Sequence, residues 1–285
     1  VTTNDEAHGV LILAGTPMGQ SGDASPRLRD ALATADVVAA EDTRRTKALA
    51  ASLGVEIGGR IVSYYDQVEA ARAPKLMQAV ADGERVLLVT DAGMPSVSDP
   101  GYRVVVACAD AGLPITCLPG PSAVTTALAL SAMPSERFAF DGFAPRKPGQ
   151  RTEWLTGLRD EQRTVVFFES PHRLAQTLSD AASVLGEDRR AAVCRELTKT
   201  YEEVRRGGLG ELAQWAAAGV KGEITVVIAG AAKIDTTVTL DELVSRAREL
   251  ADSGLRLKDA CAQVIGGTRF SRRDVYEAVL TAREH

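Results

Sequence analysis

Short apolar runs recur along the first half of the chain, and each stops abruptly at small, polar or proline residues. Val10–Ala14, Val37–Ala40 and Val86–Val89 are apolar at every position. That pattern marks parallel strands covered on both faces, which need no polar alternation. Arg60–Tyr64 and Gly112–Leu118 read as two further strands of the same sheet. Helical patterns lie between them: one opens at Ser25, a capping hydroxyl, with Pro26 in the first helical position. Others cover about Ala70–Asp82, Gly101–Ala111 and Ala123–Ala132. Regular alternation of strand and helix predicts an α/β domain with a mainly parallel sheet.

After Pro134 the pattern changes. Strand-like segments at Arg137–Phe143, Thr164–Phe168, Ala191–Cys194, Glu202–Gly207 and Ile224–Ala229 are joined by both hairpin-like and helical connections. They predict a second α/β domain. A linker near Ala231–Thr237 leads to a helical tail, where Thr239 and Glu242 have capping-box spacing. Leu243, Ala247, Leu250, Leu257, Ala260, Val264, Ile265, Val275, Ala278 and Val279 mark three short amphipathic helices. Arg269, Arg272 and Arg273 between the last two give a helix-turn-helix look, against which stands a plain helical cap with solvated arginines. A tail of under about 60 residues builds little core of its own. The expected division is therefore 1–119, 120–234 and 235–285.

The strand ends hold the chemistry. After Val89 comes a loop, Thr90-Asp91-Ala92-Gly93-Met94-Pro95-Ser96-Val97-Ser98-Asp99-Pro100-Gly101. Gly93 and Gly101 permit positive φ, while Pro95 and Pro100 forbid helix just before them. Open α/β sheets bind ligands at the carboxyl ends of their strands, although a loop there can also be a mere connection. Glu41-Asp42-Thr43-Arg44-Arg45-Thr46 follows the second strand, as a site or simply as the solvated start of a helix. Pro119-Gly120-Pro121-Ser122-Ala123 ends the fifth strand at a helix start, where free amides suit a polar ligand.

Composition narrows the function. With 285 residues, 45% hydrophobic and 25% charged, the chain has the make-up of a globular protein of about two domains. A net charge of -5 does not advertise nucleic-acid binding, though it can hide a local basic patch such as Arg146–Arg151. Cys108, Cys117, Cys194 and Cys261 form no CxxC pair, and His8, His172 and His285 are dispersed, so neither a metal site nor a disulfide framework is indicated. Without a signal peptide or a bilayer-length apolar run, the reading is cytoplasmic. The P-loop, the dinucleotide fingerprint, the serine-hydrolase elbow and the zinc-protease helix are all missing.

Seven stretches together form a specific pattern: Ala14–Gly19, Ala40–Arg44, Thr90–Gly101, Leu118–Ala123, Phe168–Arg173, Arg195–Lys199 and Lys221–Glu223. In this order they resemble the 16S ribosomal RNA cytidine-2′-O-methyltransferases, of the tetrapyrrole (corrin/porphyrin) methylase superfamily. The resemblance covers nearly all of residues 10–230. It departs from the family's commonest pattern at Gly15, Met18, Gln20 and Met94 without removing a backbone contact.

The resemblance implies a bilobal α/β protein, usually a homodimer, with S-adenosylmethionine (AdoMet) bound between the lobes. By motif, the cofactor residues would be Pro17, Ala92, Gly93, Met94, Ser96, Val97, Ser122, Ala123, Phe168, Leu197, Glu223 and Ile224. The partner would be 16S ribosomal RNA in the small subunit. A ribose 2′-hydroxyl is a weak nucleophile at neutral pH, so a base would help. Glu41, Asp42, Asp99, Glu169 and Glu196 are all open for that role. Arg44, Arg146, Lys147, Arg173, Arg195 and Lys199 are available for phosphates. Two other readings stay open: a small-molecule methyltransferase with a tetrapyrrole-like acceptor, and a non-catalytic AdoMet- or RNA-binding protein on the same fold.

Overall fold

A computed structural model describes residues 9–232, 237–265, 267–268 and 270–281. The polar lead with His8, linker positions 233–236, Arg269 and His285 lie outside the described residues. The first sheet contains β1 (Val10–Ala14), β2 (Val37–Ala40), β3 (Arg60–Ser63), β4 (Arg85–Val89) and β5 (Ile115–Leu118), in the order β3-β2-β4-β1-β5. Every pair in it is parallel.

Alternate residues of each strand serve opposite faces, as the period of two requires. Ile12, Ala14, Val38, Ala40, Leu87 and Val89 meet Leu28, Ala31 and Leu32 of α1 (Pro26–Thr34) and Ala50 of α2 (Thr43–Ser52). Leu11, Val37, Ala39, Val86 and Leu88 meet Ala73, Leu76 and Val80 of α3 (Asp66–Ala81) and Val104 and Cys108 of α4 (Tyr102–Asp110). Leu28 and Leu32 are fully buried, each contributing about 1.5–3 kcal/mol of transfer free energy. The Ser25 side chain accepts from the Leu28 amide, as its place before Pro26 predicts. α3 starts four residues before the expected Ala70, at an end where Tyr65 supplies no side-chain cap.

The second sheet holds β6 (Phe138–Phe143), β7 (Thr164–Glu169), β8 (Arg190–Arg195), β9 (Glu203–Gly208) and β10 (Ile224–Ile228), ordered β6-β7-β10-β8-β9. β6 and β7 are parallel and the other pairs antiparallel. One face packs on α6 (Pro148–Gly157), α7 (Leu174–Leu185) and α8 (Leu209–Ala216) through Leu155, Leu174, Leu178, Leu209 and Leu212. The other packs on α5 (Ala123–Ser131) through Val124, Ala127 and Leu128.

Both sheets fall in one compact unit; residues 159–163 and the chain from 230 onward form another. In the second unit α9 (Leu240–Asp252), α10 (Leu257–Val264) and α11 (Arg272–Thr281) bury Leu243, Val244, Ala247, Cys261, Val275 and Val279 around one another. The tail thus has a core of its own, more than its length alone leads one to expect. The capping box of Thr239 and Glu242 is formed.

Candidate active site

The loop between β4 and α4 is held from both sides. Its Gly93 exchanges two backbone hydrogen bonds with Thr16, at 2.9 and 3.0 Å, and the Thr16 hydroxyl donates to the Thr90 carbonyl at 3.0 Å. At the far end the buried Glu69 carboxylate accepts from the amides of Gly101 (2.8 Å) and Arg103 (3.1 Å) and from the Tyr64 hydroxyl (3.2 Å). Gly93 has φ +79° and Gly101 φ +146°, and a Cβ at Gly101 would meet Ser96 Oγ at 2.5 Å, so both glycines are required. Ser96 and Ser98 also adopt positive φ, at 68° and 62°. Such strain in non-glycine residues collects where the surroundings over-determine a site.

A cavity of about 390 Å³ opens at this loop, within the size range of small-molecule sites. Its apolar wall includes Met94, Val97, Ala123, Phe168 and Ile224. Its polar end holds Glu41, Asp91 and Asp99, with Arg45 beside them. Asp91 and Glu41 interlock the ends of β4 and β2: the Asp91 amide donates to Glu41 Oε2 (3.1 Å), and the Asp42 amide donates to Asp91 Oδ1 (3.2 Å). Arg45 closes on the other Asp91 oxygen at 3.2 Å. Burial raises the pKa of Glu41 and of Asp91 above the usual carboxylate range. Asp99 is pushed up to about 7, first by burial and then by the charges of Glu41 and Asp91. Taking a carboxylate from water disfavours its charged form, and neighbouring anions add to that cost.

Residues 10–213 match the family of Tetrapyrrole (Corrin/Porphyrin) Methylases. The ribosomal RNA small subunit methyltransferase I of Mycobacterium tuberculosis is 58% identical over 276 residues, 96% of each chain. The chain belongs to the ribosomal RNA small subunit methyltransferase I family. Two solved structures share the fold of this methyltransferase. The methyltransferase CobJ superposes with a TM-score of 0.60 at 21% identity, over 79% of this chain and 95% of its own. A uroporphyrin-III C-methyl transferase from Thermus thermophilus, complexed with S-adenyl homocysteine, gives 0.53 at 17%, over 77% and 96%.

Of the residues expected at the methyltransferase cofactor site, Ala92, Gly93, Met94, Val97, Ser122, Ala123, Phe168, Glu223 and Ile224 line the cavity. Pro17, Ser96 and Leu197 do not; Leu197 is packed in the core under α5. Among the five acids, Glu41, Asp99 and Glu169 line it, and Asp42 and Glu196 stand outside. Asp42 caps α2 by accepting from the amides of Arg44 and Arg45. The Glu169 side chain is fully buried: it takes Arg173 at 2.5 Å, the Ser170 amide at 2.6 Å and the Thr177 hydroxyl at 2.6 Å. Loss of Arg173 would leave the buried Glu169 carboxylate without its cation, at a cost of several kcal/mol. Glu196 accepts from the Glu223 amide and from Lys199 Nζ, both at 2.9 Å, which hold its pKa below the usual range.

The six cations expected on phosphates all lie outside the cavity wall. Arg173 is committed to Glu169, Lys199 to Glu196 and Glu223, and Arg195 to Glu203 at 2.7 Å. Arg44 is 91% exposed and pairs with Asp42. Arg146 and Lys147 are exposed just before α6. Arg45, Asp91 and Phe143 line the cavity without having stood out in the sequence as site residues.

Proposed function

We propose that this chain transfers a methyl group from AdoMet to the ribose 2′-hydroxyl of a cytidine in 16S ribosomal RNA. The observation that carries the reading is one cavity uniting an apolar wall, the start of α5 and the carboxylates of Glu41, Asp91 and Asp99 in the loops after β2 and β4. These residues fit the cofactor. Met94, Val97, Ala123, Phe168 and Ile224 offer apolar surface for its nucleoside, and the free first-turn amides of α5 suit a carboxylate. Glu41, Asp91 and Asp99 supply negative charge for its cationic centre. When bound, AdoMet supplies a methyl group already activated on a sulfonium sulfur.

The protein then has two tasks, alignment and proton removal. Alignment of the hydroxyl with the methyl group can supply much of the acceleration. For proton removal we assign Asp99. Glu41 and Asp91 are engaged by backbone amides, and Asp91 also by Arg45, whereas no cation neutralises Asp99 among the described residues. A carboxylate tuned near neutrality is suited to accept a proton at physiological pH. As the 2′-oxygen accepts the methyl group, its proton would pass to the Asp99 carboxylate.

The test is calorimetric titration with AdoMet, followed by methyl transfer to small ribosomal subunits. Binding without transfer to any ribosomal substrate would reduce the protein to a cofactor-binding module. We further propose that Arg146 and Lys147 meet RNA phosphate, with Arg272 of the tail. Replacing Arg146 and Lys147 together by alanine should weaken subunit binding and flatten its salt dependence by about 0.7–0.9 for each phosphate no longer neutralised. AdoMet affinity should not move. The same titration with Arg272→Ala tests the tail, and an unchanged slope in either variant removes that side chain from the interface.

Among the described residues no helix is long and apolar enough to cross a membrane. We place the activity in the cytoplasm, where ribosomal RNA is found, on a chain organised as lobes 1–119 and 120–234 with the extension 235–285. We expect a homodimer, joined through apolar surface such as Tyr102 and Val106 of α4 and Ile115 of the edge strand β5, all exposed. Sedimentation velocity should give twice the 30.2 kDa chain mass, and a monomer at micromolar concentration would reject that arrangement.

A further inference from the structure

A large aromatic side chain left in solvent beside a cavity needs a reason. Phe143 lines the cavity, yet its surface is 58% exposed. It owes its position to a break in β6. Phe140 pairs with Val166 and Phe143 with Phe168, so three steps along β6 answer two along β7. Period-two alternation would send Phe140 and Phe143 to opposite faces. The extra residue brings both onto the ring of Phe168, edge-on, with centroids at 4.9 and 5.4 Å. Gly142 makes the bulge possible with φ +70°, and the neighbouring Asp141 is held by Trp154 Nε1 at 2.8 Å. The Phe143 ring is therefore fixed from behind and open in front.

Its neighbours are equally telling. An added Cβ at Gly142 would lie 3.5 Å from Ser98 Oγ, so the bulge sits against the loop that carries Asp99. On the other side the chain runs into exposed Arg146 and Lys147. Phe143 thus shares a cavity wall with Asp99 and precedes two exposed cations in the chain.

We propose that Phe143 stacks the base of the target nucleotide, so that its ribose is presented toward Asp99 while Arg146 and Lys147 meet the adjoining phosphates. The inference rests on the RNA-methylation reading above. Sequence-specific RNA recognition commonly targets bases splayed out of a helix, which then stack on aromatic side chains. Flat rings bind any base by its π-face, which leaves the choice of cytidine to other contacts.

Phe143→Ala, Phe143→Leu and Phe143→Trp separate stacking from simple packing. With small subunits as substrate, Phe143→Ala should lose roughly 5- to 100-fold in single-turnover rate. Its binding of subunits should stay near wild type, because phosphate contacts supply most of that affinity. Phe143→Trp, which keeps an aromatic face, should stay within about threefold of wild type, and Phe143→Leu should be impaired like alanine. Wild-type rates in the leucine or alanine variant would overturn the proposal. A fall in AdoMet affinity matching the fall in rate would overturn it too, making Phe143 a cofactor wall, as would a change of sedimentation coefficient, making it an interface residue. Failure of the wild-type protein to methylate small subunits would instead remove the RNA reading, and the stacking role with it.

Discussion

Replacing Ala123 by leucine should weaken AdoMet binding by roughly 5- to 150-fold, the range expected when about 1–3 kcal/mol of overpacking enters a formed cavity. Ala123 is the first residue of α5 and lines the cavity. Leucine is nearly as good a helix former as alanine, so the added carbons burden the site and not the helix. Gly93→Val adds bulk to the same wall but also forces a β-branched residue to φ +79°, which L-residues resist. Ala123→Leu is therefore the cleaner experiment. Calorimetry gives the affinity and urea unfolding the stability. Wild-type affinity in a folded Ala123→Leu protein would show that the cofactor binds elsewhere.

The second large effect belongs to Asp99. Asp99→Asn keeps the shape of the side chain and removes its capacity to take a proton. Methyl transfer should fall by about 10²–10⁴-fold, with AdoMet affinity much less affected. Because Asp99 is pushed up to about 7 in the free protein, it is mostly protonated below that pH and unable to act as a base. The wild-type kcat/KM should therefore climb about tenfold per pH unit below neutrality and level off above it. Glu41→Gln removes the largest charge acting against Asp99, and should move the inflection to lower pH. Beside a bound cation the carboxylate ionises more readily, so the kcat profile should turn at lower pH than the kcat/KM profile. An Asp99→Asn enzyme with wild-type rate, or with an unchanged pH profile, would end the assignment.

The first sheet was legible in the sequence because burial on both faces writes itself as unbroken apolar runs. β1 and β2 fall where those runs fall. The cavity wall was legible where conformation demands particular residues, as at Gly93 with φ +79°; the other lining residues that stood out did so through the family resemblance. What was not legible is which charges neutralise each other. Arg173 and Lys199 read as phosphate ligands, yet each finds a carboxylate four or three residues back. Those spacings were present in the sequence as a warning. Phe143 is hidden in the sequence for another reason. Along a strand it reads as one more apolar position, and its exposure depends on an extra residue in the ladder that no local pattern announces. Asp91 and Arg45 come together across two strand ends, a proximity set by strand order.

That strand order also shapes how the molecule comes into being. Of the strands in this sheet β1 is made first, yet its partners are the fourth and fifth: Val10 aligns with Arg85, and Leu11 with Ile115. At synthesis rates of about 5–20 residues per second, the segment Val10–Ala14 spends roughly 4 to 15 s without a mate. In the later part of that interval, once β3 has emerged, β2 can pair on one edge only, with β3, because its other neighbour is β4. The sheet closes late, when β4 inserts between β2 and β1 and zips both sides at once. Until residue 89 has emerged Val10–Ala14 is apolar chain without its native partners, and exposed apolar surface of that kind is prone to aggregation.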